Sequence, residues 1–233
     1  MKLAVMQPYV FPYIGYFQLI KAVQTFIFYD DVNFIKRGWI NRNKILINGN
    51  ESLITFPCLK VSQNKEIREI EIDLSDNSYR DIIKTIYYSY KNAPFFNEIY
   101  SIIKDCLESD SKTISDLAIL SITKVCSYLD IKTEFEVSSL TYSHTKGLDK
   151  AKRLIEVVKV KKATKYINAI GGQKLYTKEY FKSFNMDLQF LNPIIEEYKQ
   201  FDNQFVPNLS IIDVLMFNSV EDVTLMLDNY ELI

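Results

Sequence analysis

Two adjacent carboxylates, Asp30 and Asp31, close the apolar run Phe26-Ile27-Phe28-Tyr29. At the end of a strand such a pair offers a general base or a pair of metal ligands. Successive strand residues point to opposite faces, so one of the two is expected to face a site. A turn-forming aspartate is the plainer reading. Just downstream, Lys36, Arg37, Trp39, Asn41, Arg42 and Asn43 crowd into the segment Val32–Asn43. Arginine presents a planar fork to phosphate or carboxylate. Trp39 offers a face for a base or sugar ring, and the asparagines can read hydroxyls. Together they describe a pocket wall for a negatively charged small molecule, or, more plainly, a solvated loop with one aromatic anchor. His144, the sole histidine, sits in Ser-His-Thr-Lys-Gly and is held as a reserve base. One histidine excludes a zinc site built on several. Cys58, Cys106 and Cys126 are too far apart for a CxxC pair and odd in number, so they read as small buried thiols in a reducing compartment. No metal is expected.

These residues need a frame, and the apolar pattern supplies one. Leu3-Ala4-Val5-Met6 reads as a buried strand ended by Gln7-Pro8, and helical spacing runs from Ile14 through Phe17, Leu19, Ile20 and Val23. With the run ending at Asp30-Asp31 this makes strand, loop, helix, strand, the opening of a parallel α/β sheet. Ile45–Ile47 and Leu53–Phe56 around Asn48-Gly49-Asn50 predict a hairpin. Glu66–Leu74 alternates with period two and predicts a strand with one wet face. Helical periodicity fills 77–129, broken by Pro94, with Ser75 or Asn77 as the first cap. Strands are expected at Glu134–Val137, Lys165–Asn168 and Asp187–Leu191, and helices at Asp149–Lys161, Tyr176–Phe184, Leu209–Phe217 and Val220–Leu227. The expectation is a single α/β domain over 1–233, a Rossmann-like, nucleotidyltransferase-like parallel sheet with a helical insertion at about 77–129.

Ligands of open parallel sheets bind at the carboxyl ends of strands. Here those ends are Gln7-Pro8, Asp30-Asp31 and Asn168 to Gly172. The helix starting near Tyr13, Gly15 and Tyr16 would offer free amides to an anion. Gly171 and Gly172, beside Tyr176, would let backbone approach a ligand or simply break the strand. No Walker loop, GxGxxG, HExxH or GxSxG occurs, so no cofactor is assigned. Lys plus Arg is 28 against 29 acidic residues, a net charge of −1, which excludes bulk nucleic-acid binding. No apolar stretch reaches membrane-spanning length and no signal peptide is visible, so a cytoplasmic protein, or one beside a membrane, is expected.

The stretches Met6–Tyr9, Pro12–Phe17, Asp30–Val32, Lys36–Asn43, Tyr166–Gly172, Leu175-Tyr176, Tyr198, Gln200, Phe205 and Leu209–Val214 resemble the WbqC-like family, co-linearly along nearly the whole chain. The resemblance implies a place in O-antigen or other surface-polysaccharide synthesis, where some members are suggested to transfer glycine or another acyl group onto an amino sugar. It thus implies an acyl or aminoacyl transferase acting on the amine of a nucleotide-linked amino sugar. Asp30 or Asp31 would be the base, and Lys36, Arg37 and Arg42 would hold diphosphate. Trp39, Tyr13 and Tyr16 would stack on base or sugar, and Asn41, Asn43 and Asn168 would read hydroxyls. The donor is unknown and a homo-oligomer stays open. The alternatives are a non-catalytic sugar-nucleotide binding subunit and an ATP-dependent nucleotidyltransferase-like enzyme. The opening is also similar to HIGH-motif nucleotidyltransferases, with Tyr13-Ile14-Gly15-Tyr16 standing where that superfamily has His-x-Gly-His.

Overall fold

The computed structural model describes residues 1–202 and 204–233. Five strands lie parallel: β1 (Lys2–Met6), β2 (Thr25–Phe28), β5 (Glu134–Val137), β6 (Lys165–Ala169) and β7 (Asp187–Pro193). A short antiparallel strand, β8 (Tyr230–Leu232), completes the order β5-β2-β1-β6-β7-β8. Counted in chain order, the parallel strands read 3-2-1-4-5, the Rossmann-type arrangement. A separate hairpin pairs β3 (Arg42–Ile47) with β4 (Asn50–Thr55). Its turn residues, Asn48 at φ 51° and Gly49 at φ 76°, have the two positive angles that a tight hairpin needs.

β1 and β2 carry continuous apolar runs, Leu3–Met6 and Phe26–Phe28, because both faces of the sheet are covered. Ala4, Phe26, Phe28, Ile167 and Leu191 face one cluster. Leu3, Val5, Ile27, Tyr166, Leu188 and Phe190 face the other. The second face is covered by α6 (Lys150–Val160), whose Leu154, Ile155, Val157 and Val158 are buried, and by α7 (Lys178–Lys182) through Phe181. The first face receives α1 (Ile14–Lys21), α8 (Ile211–Phe217), α9 (Val220–Met226) and the helices α2 (Asn77–Tyr90), α3 (Phe96–Leu107) and α4 (Ile114–Tyr128). These last three span the helical stretch at 77–129, and their apolar stripes join the same cluster as the sheet.

Two local expectations are corrected. Glu66–Leu74 is not a strand: Glu66 and Glu69 cap each other's backbone around the 3-10 turn Ile67–Glu69, and only isolated bridges follow, Cys58 to Ile72 and Glu71 to Thr113. The alternation arose because Ile67, Ile70 and Ile72 each drop into the core from an irregular crossing. α2 is capped by Asp76, whose carboxylate accepts from Ser78 N, rather than by Ser75 or Asn77. Among the described residues, no helix is long and apolar enough to cross a membrane.

Candidate functional site

The strand order brings the carboxyl ends of β5, β2, β1 and β6 side by side. Gln7 follows β1, Asp30-Asp31 follow β2, and Ser138-Ser139 follow β5, where they open the single-turn helix α5 (Ser138–Thr141). Asn168 lies near the end of β6, and Gly171-Gly172 in the 3-10 turn Ile170–Lys174 behind it. In this order the chain leaves β1 and β6 in opposite directions, which opens a crevice between them. The pairing shows it. β1 keeps register with β2 from Leu3↔Thr25 to Met6↔Phe28, and β6 with β7 over five pairs, whereas β1 and β6 pair only at Lys2↔Lys165 and Leu3↔Tyr166. Beyond Leu3 the two strands run on side by side without further registered pairs, a narrow fork in the ladder.

On the β2 side of the fork lies a buried charged cluster. Asp30 is 3% exposed and Asp31 4%. Asp30 Oδ1 accepts from the Ser139 amide at 2.9 Å and Oδ2 from the Ser139 hydroxyl at 2.6 Å. Burial raises its pKa above the ordinary carboxylate value, against the opposing pull of the Ser139 hydrogen bonds. Asp31 Oδ2 accepts from Arg153 Nη2 at 2.5 Å. Its Oδ1 is buried and has no hydrogen-bond partner. Arg153 is 5% exposed. It also donates to Thr145 Oγ1 at 3.0 Å and Ser138 Oγ at 3.3 Å, and its guanidinium lies 4.7 Å from the centre of the Tyr29 ring. Burial pushes the Tyr29 hydroxyl to about 12. The expected division of the two aspartates between opposite faces does not occur: β2 ends at Phe28, so pleat alternation no longer governs residues 30 and 31, and both bond to the β5–α6 side. Outside the cluster, Glu66 pairs with Arg68 and Lys146. Burial pushes the Glu66 carboxyl up, but those two hydrogen bonds outweigh it and hold it below the usual range.

Sequence reasoning missed Arg153, Ser138, Ser139 and Thr145. For Arg153 a signal existed: it falls on the buried stripe of α6 with Leu154, Val157 and Val158, and arginine on an apolar stripe requires a buried partner.

The loop cluster divides. Asn41 Nδ2 donates to Phe56 O at 2.9 Å, and Asn43 Nδ2 to the carbonyls of Phe11 and Val10, so both amides bind backbone and hold the hairpin to the β1–α1 loop. Arg42 Nε donates to Gly38 O at 3.0 Å and its guanidinium also reaches Arg37 O, closing its own loop, where Arg37 sits at φ 60°. Lys36 and Arg37 are exposed, and Trp39 is 46% exposed with Lys44 Nζ 5.7 Å from its ring centre. Among the described residues, no hydrogen bond, ion pair or ring contact joins these three to the Asp30–Arg153 cluster. Tyr16 is buried and donates to Gln7 O at 2.8 Å. A Cβ on Gly15 would fall 2.5 Å from the Tyr13 ring and 2.7 Å from Pro193, so glycine lets those rings close over the first turn of α1. A Cβ on Gly172 would fall 2.5 Å from Asn168 Nδ2; the glycine admits the Asn168 side chain, while Gly171 faces open space. Tyr176 packs edge-on against Phe181. His144 is exposed and lines a separate depression with Lys152, Glu156 and Phe184. No cluster of metal-ligating side chains occurs among the described residues.

A second buried carboxylate was not singled out beforehand. Asp213 in α8 accepts from Tyr90 and Tyr198 hydroxyls at 2.8 Å each and from Gln200 Nε2 at 2.7 Å. Tyr90 in turn accepts from Leu46 N. The carboxylate ties α2, the hairpin and the segment after β7 to α8, and burial raises its pKa despite the three donors.

The WbqC-like protein family is the family whose model matches, over residues 7–225. The chain is also 31% identical over 220 residues to an uncharacterized protein of Mycobacterium tuberculosis (strain ATCC 25618 / H37Rv), Rv1507c, a match covering 93% of both chains.

Proposed function

The chain belongs to the WbqC-like protein family, and on that premise we propose that it transfers an acyl or aminoacyl group, glycyl among the candidates, to the amine of a nucleotide-linked amino sugar for surface-polysaccharide synthesis. The observation that carries this reading is the fork between β1 and β6, with a buried carboxylate of raised pKa at the neighbouring strand end. The amine forms a C–N bond to the acyl carbon while the bond to the donor's leaving group breaks and that group departs with the electron pair; the amine must lose a proton, and a base whose pKa lies above the ordinary carboxylate value suits that step. Of the two aspartates, Asp31 is ion-paired with Arg153, so Asp30 takes the base role. The Ser139 hydroxyl, on a partly buried residue and bonded to Asp30, is the relay through which the proton passes in this reading. The sugar nucleotide lies across the fork, against Gln7, Asn168 and the open Gly171 backbone.

The first experiment is a thermal-shift panel of UDP- and dTDP-sugars with and without an amine, acyl-coenzyme A, and ATP with magnesium. A ligand of the native state at 100-fold over its Kd stabilises by about 2.7 kcal/mol. A shift with amino-sugar nucleotides alone supports the reading; a shift with ATP and magnesium alone overturns it. With the acceptor in hand, Asp30→Asn is expected to abolish turnover while the ligand shift persists. Turnover that survives removes Asp30 as base.

A further inference from the structure

Charge is distributed unevenly along the chain. Residues 146–182 hold eleven lysines and arginines against three carboxylates, Asp149, Glu156 and Glu179, a formal charge of +8. The remainder of a chain whose total is −1 therefore carries −9. The basic stretch folds into the layer of α6 and α7 that covers one face of the sheet. Lys159 Nζ, on α6, lies 5.2 Å from the ring centre of Phe184, two residues past α7. Ion pairs engage only part of this charge: Lys146 with Glu66, Arg153 with Asp31, Lys159 with Glu156, Lys161 with Glu134 and Glu136, and Lys165 with Asp187. Lys150, Lys152, Lys162, Lys174, Lys178 and Lys182 are all exposed, and among the described residues none of them has an ion-pair partner. Large apolar side chains stand among them, with Leu148 44%, Val160 49% and Leu175 64% exposed.

We propose that this α6–α7 face docks the protein on an anionic phospholipid bilayer. Lysines over a lipid surface act as point charges that need no fixed geometry, and exposed leucine and valine side chains enter the headgroup layer between them. The composition favours lipid over nucleic acid. The one arginine of the stretch, Arg153, is buried in its ion pair, so the face lacks the planar forks that grip a phosphate backbone. Its aromatic rings pack on one another, Tyr176 and Tyr180 against Phe181 and Phe184 against Tyr180, instead of standing open for base stacking. The docking is independent of what the fork binds or catalyses.

The test is co-sedimentation of the purified protein with vesicles of phosphatidylcholine alone or mixed with phosphatidylglycerol. Binding is expected only with the mixed vesicles, and to weaken as salt rises. Each lysine near an anionic surface contributes about fivefold in affinity. The combined variant Lys150→Gln, Lys152→Gln, Lys178→Gln, Lys182→Gln is therefore expected to bind at least about tenfold more weakly. A control with the same loss of charge elsewhere, Lys60→Gln, Lys91→Gln, Lys112→Gln, Lys124→Gln, is expected to bind like the parent. Thermal unfolding verifies that both variants fold. Absent binding at low salt, equal binding to both vesicle types, or equal losses in the two variants overturns the proposal. So does tighter binding to single-stranded RNA than to vesicles at matched phosphate concentration.

Discussion

Replacing Arg153 by Met tests the charged cluster most directly. The substitution keeps an unbranched apolar stem and removes the guanidinium. Asp31 Oδ2 then loses its 2.5 Å partner, and since Oδ1 has none already, a buried carboxylate is left with no hydrogen bond. Thr145 and Ser138 lose a donor, and the Tyr29 face loses its cation. Breaking a buried pair by removing one partner costs about 3–5 kcal/mol. At about 2–4 °C per kcal/mol for a domain of this size, the melting temperature falls by roughly 6–20 °C. The assay is thermal unfolding followed by circular dichroism, backed by urea titration to confirm an unchanged m value. The decisive arm is the double variant Asp31→Leu, Arg153→Met. Removing both charges eliminates the uncompensated carboxylate, so the double variant is expected to be clearly more stable than Arg153→Met alone. A single variant within about 1 kcal/mol of the parent would refute the claim that the pair is a desolvated, coupled unit. So would a double variant as unstable as the single one.

Other consequences are as direct. Gly172→Ala drives a methyl into Asn168 and is expected to cost about 1–3 kcal/mol, with Asn168→Ala on the same chain restoring most of the loss in thermal unfolding. Burial raises the Asp213 pKa, so at this carboxyl the folded state binds the proton more readily than the unfolded chain, and its own contribution to stability grows as pH falls from neutrality through the folded-state pKa. Asp213→Asn cannot titrate, so the parent's stability relative to that variant is expected to improve on acidification; a flat difference across urea titrations at neutral and mildly acidic pH would contradict it. Burial pushes all three thiols to about 12, so Ellman's reagent at pH 8 is expected to react slowly with the native protein and rapidly once guanidinium unfolds it.

The parts of the fold that were legible are those that sequence periodicity encodes locally. β1 and β2 are buried on both faces, so each is written as an apolar run, Leu3–Met6 and Phe26–Phe28, β6 carries the apolar pair Tyr166-Ile167, and α1, α4 and α6 carry stripes deep enough to show. The illegible parts depend on distant partners. Glu66–Leu74 has the alternation of a strand, yet a capping box and a crossing over the core decide its path. β8 is three residues long and exists through its pairing with β7. The same division holds in the site. Asp30 and Asp31 could be placed at a strand end, but not given Ser139 and Arg153, which lie more than a hundred residues away. Asn41, Arg42 and Asn43 have the composition of a binding loop; their bonds to backbone carbonyls show that the same donors fasten the hairpin in place. No local pattern separates an amide that reads a ligand from one that reads a carbonyl.

The fork gives the sheet an interior edge. β1 and β6 are joined over two residue pairs, Lys2↔Lys165 and Leu3↔Tyr166, and past them run side by side without registered pairing. An unpaired edge at the rim of a sheet invites another chain; a loosened ladder between two strands covered on both faces is sheltered from a second protein. Recognition there would fall to peptide groups, which every residue carries alike.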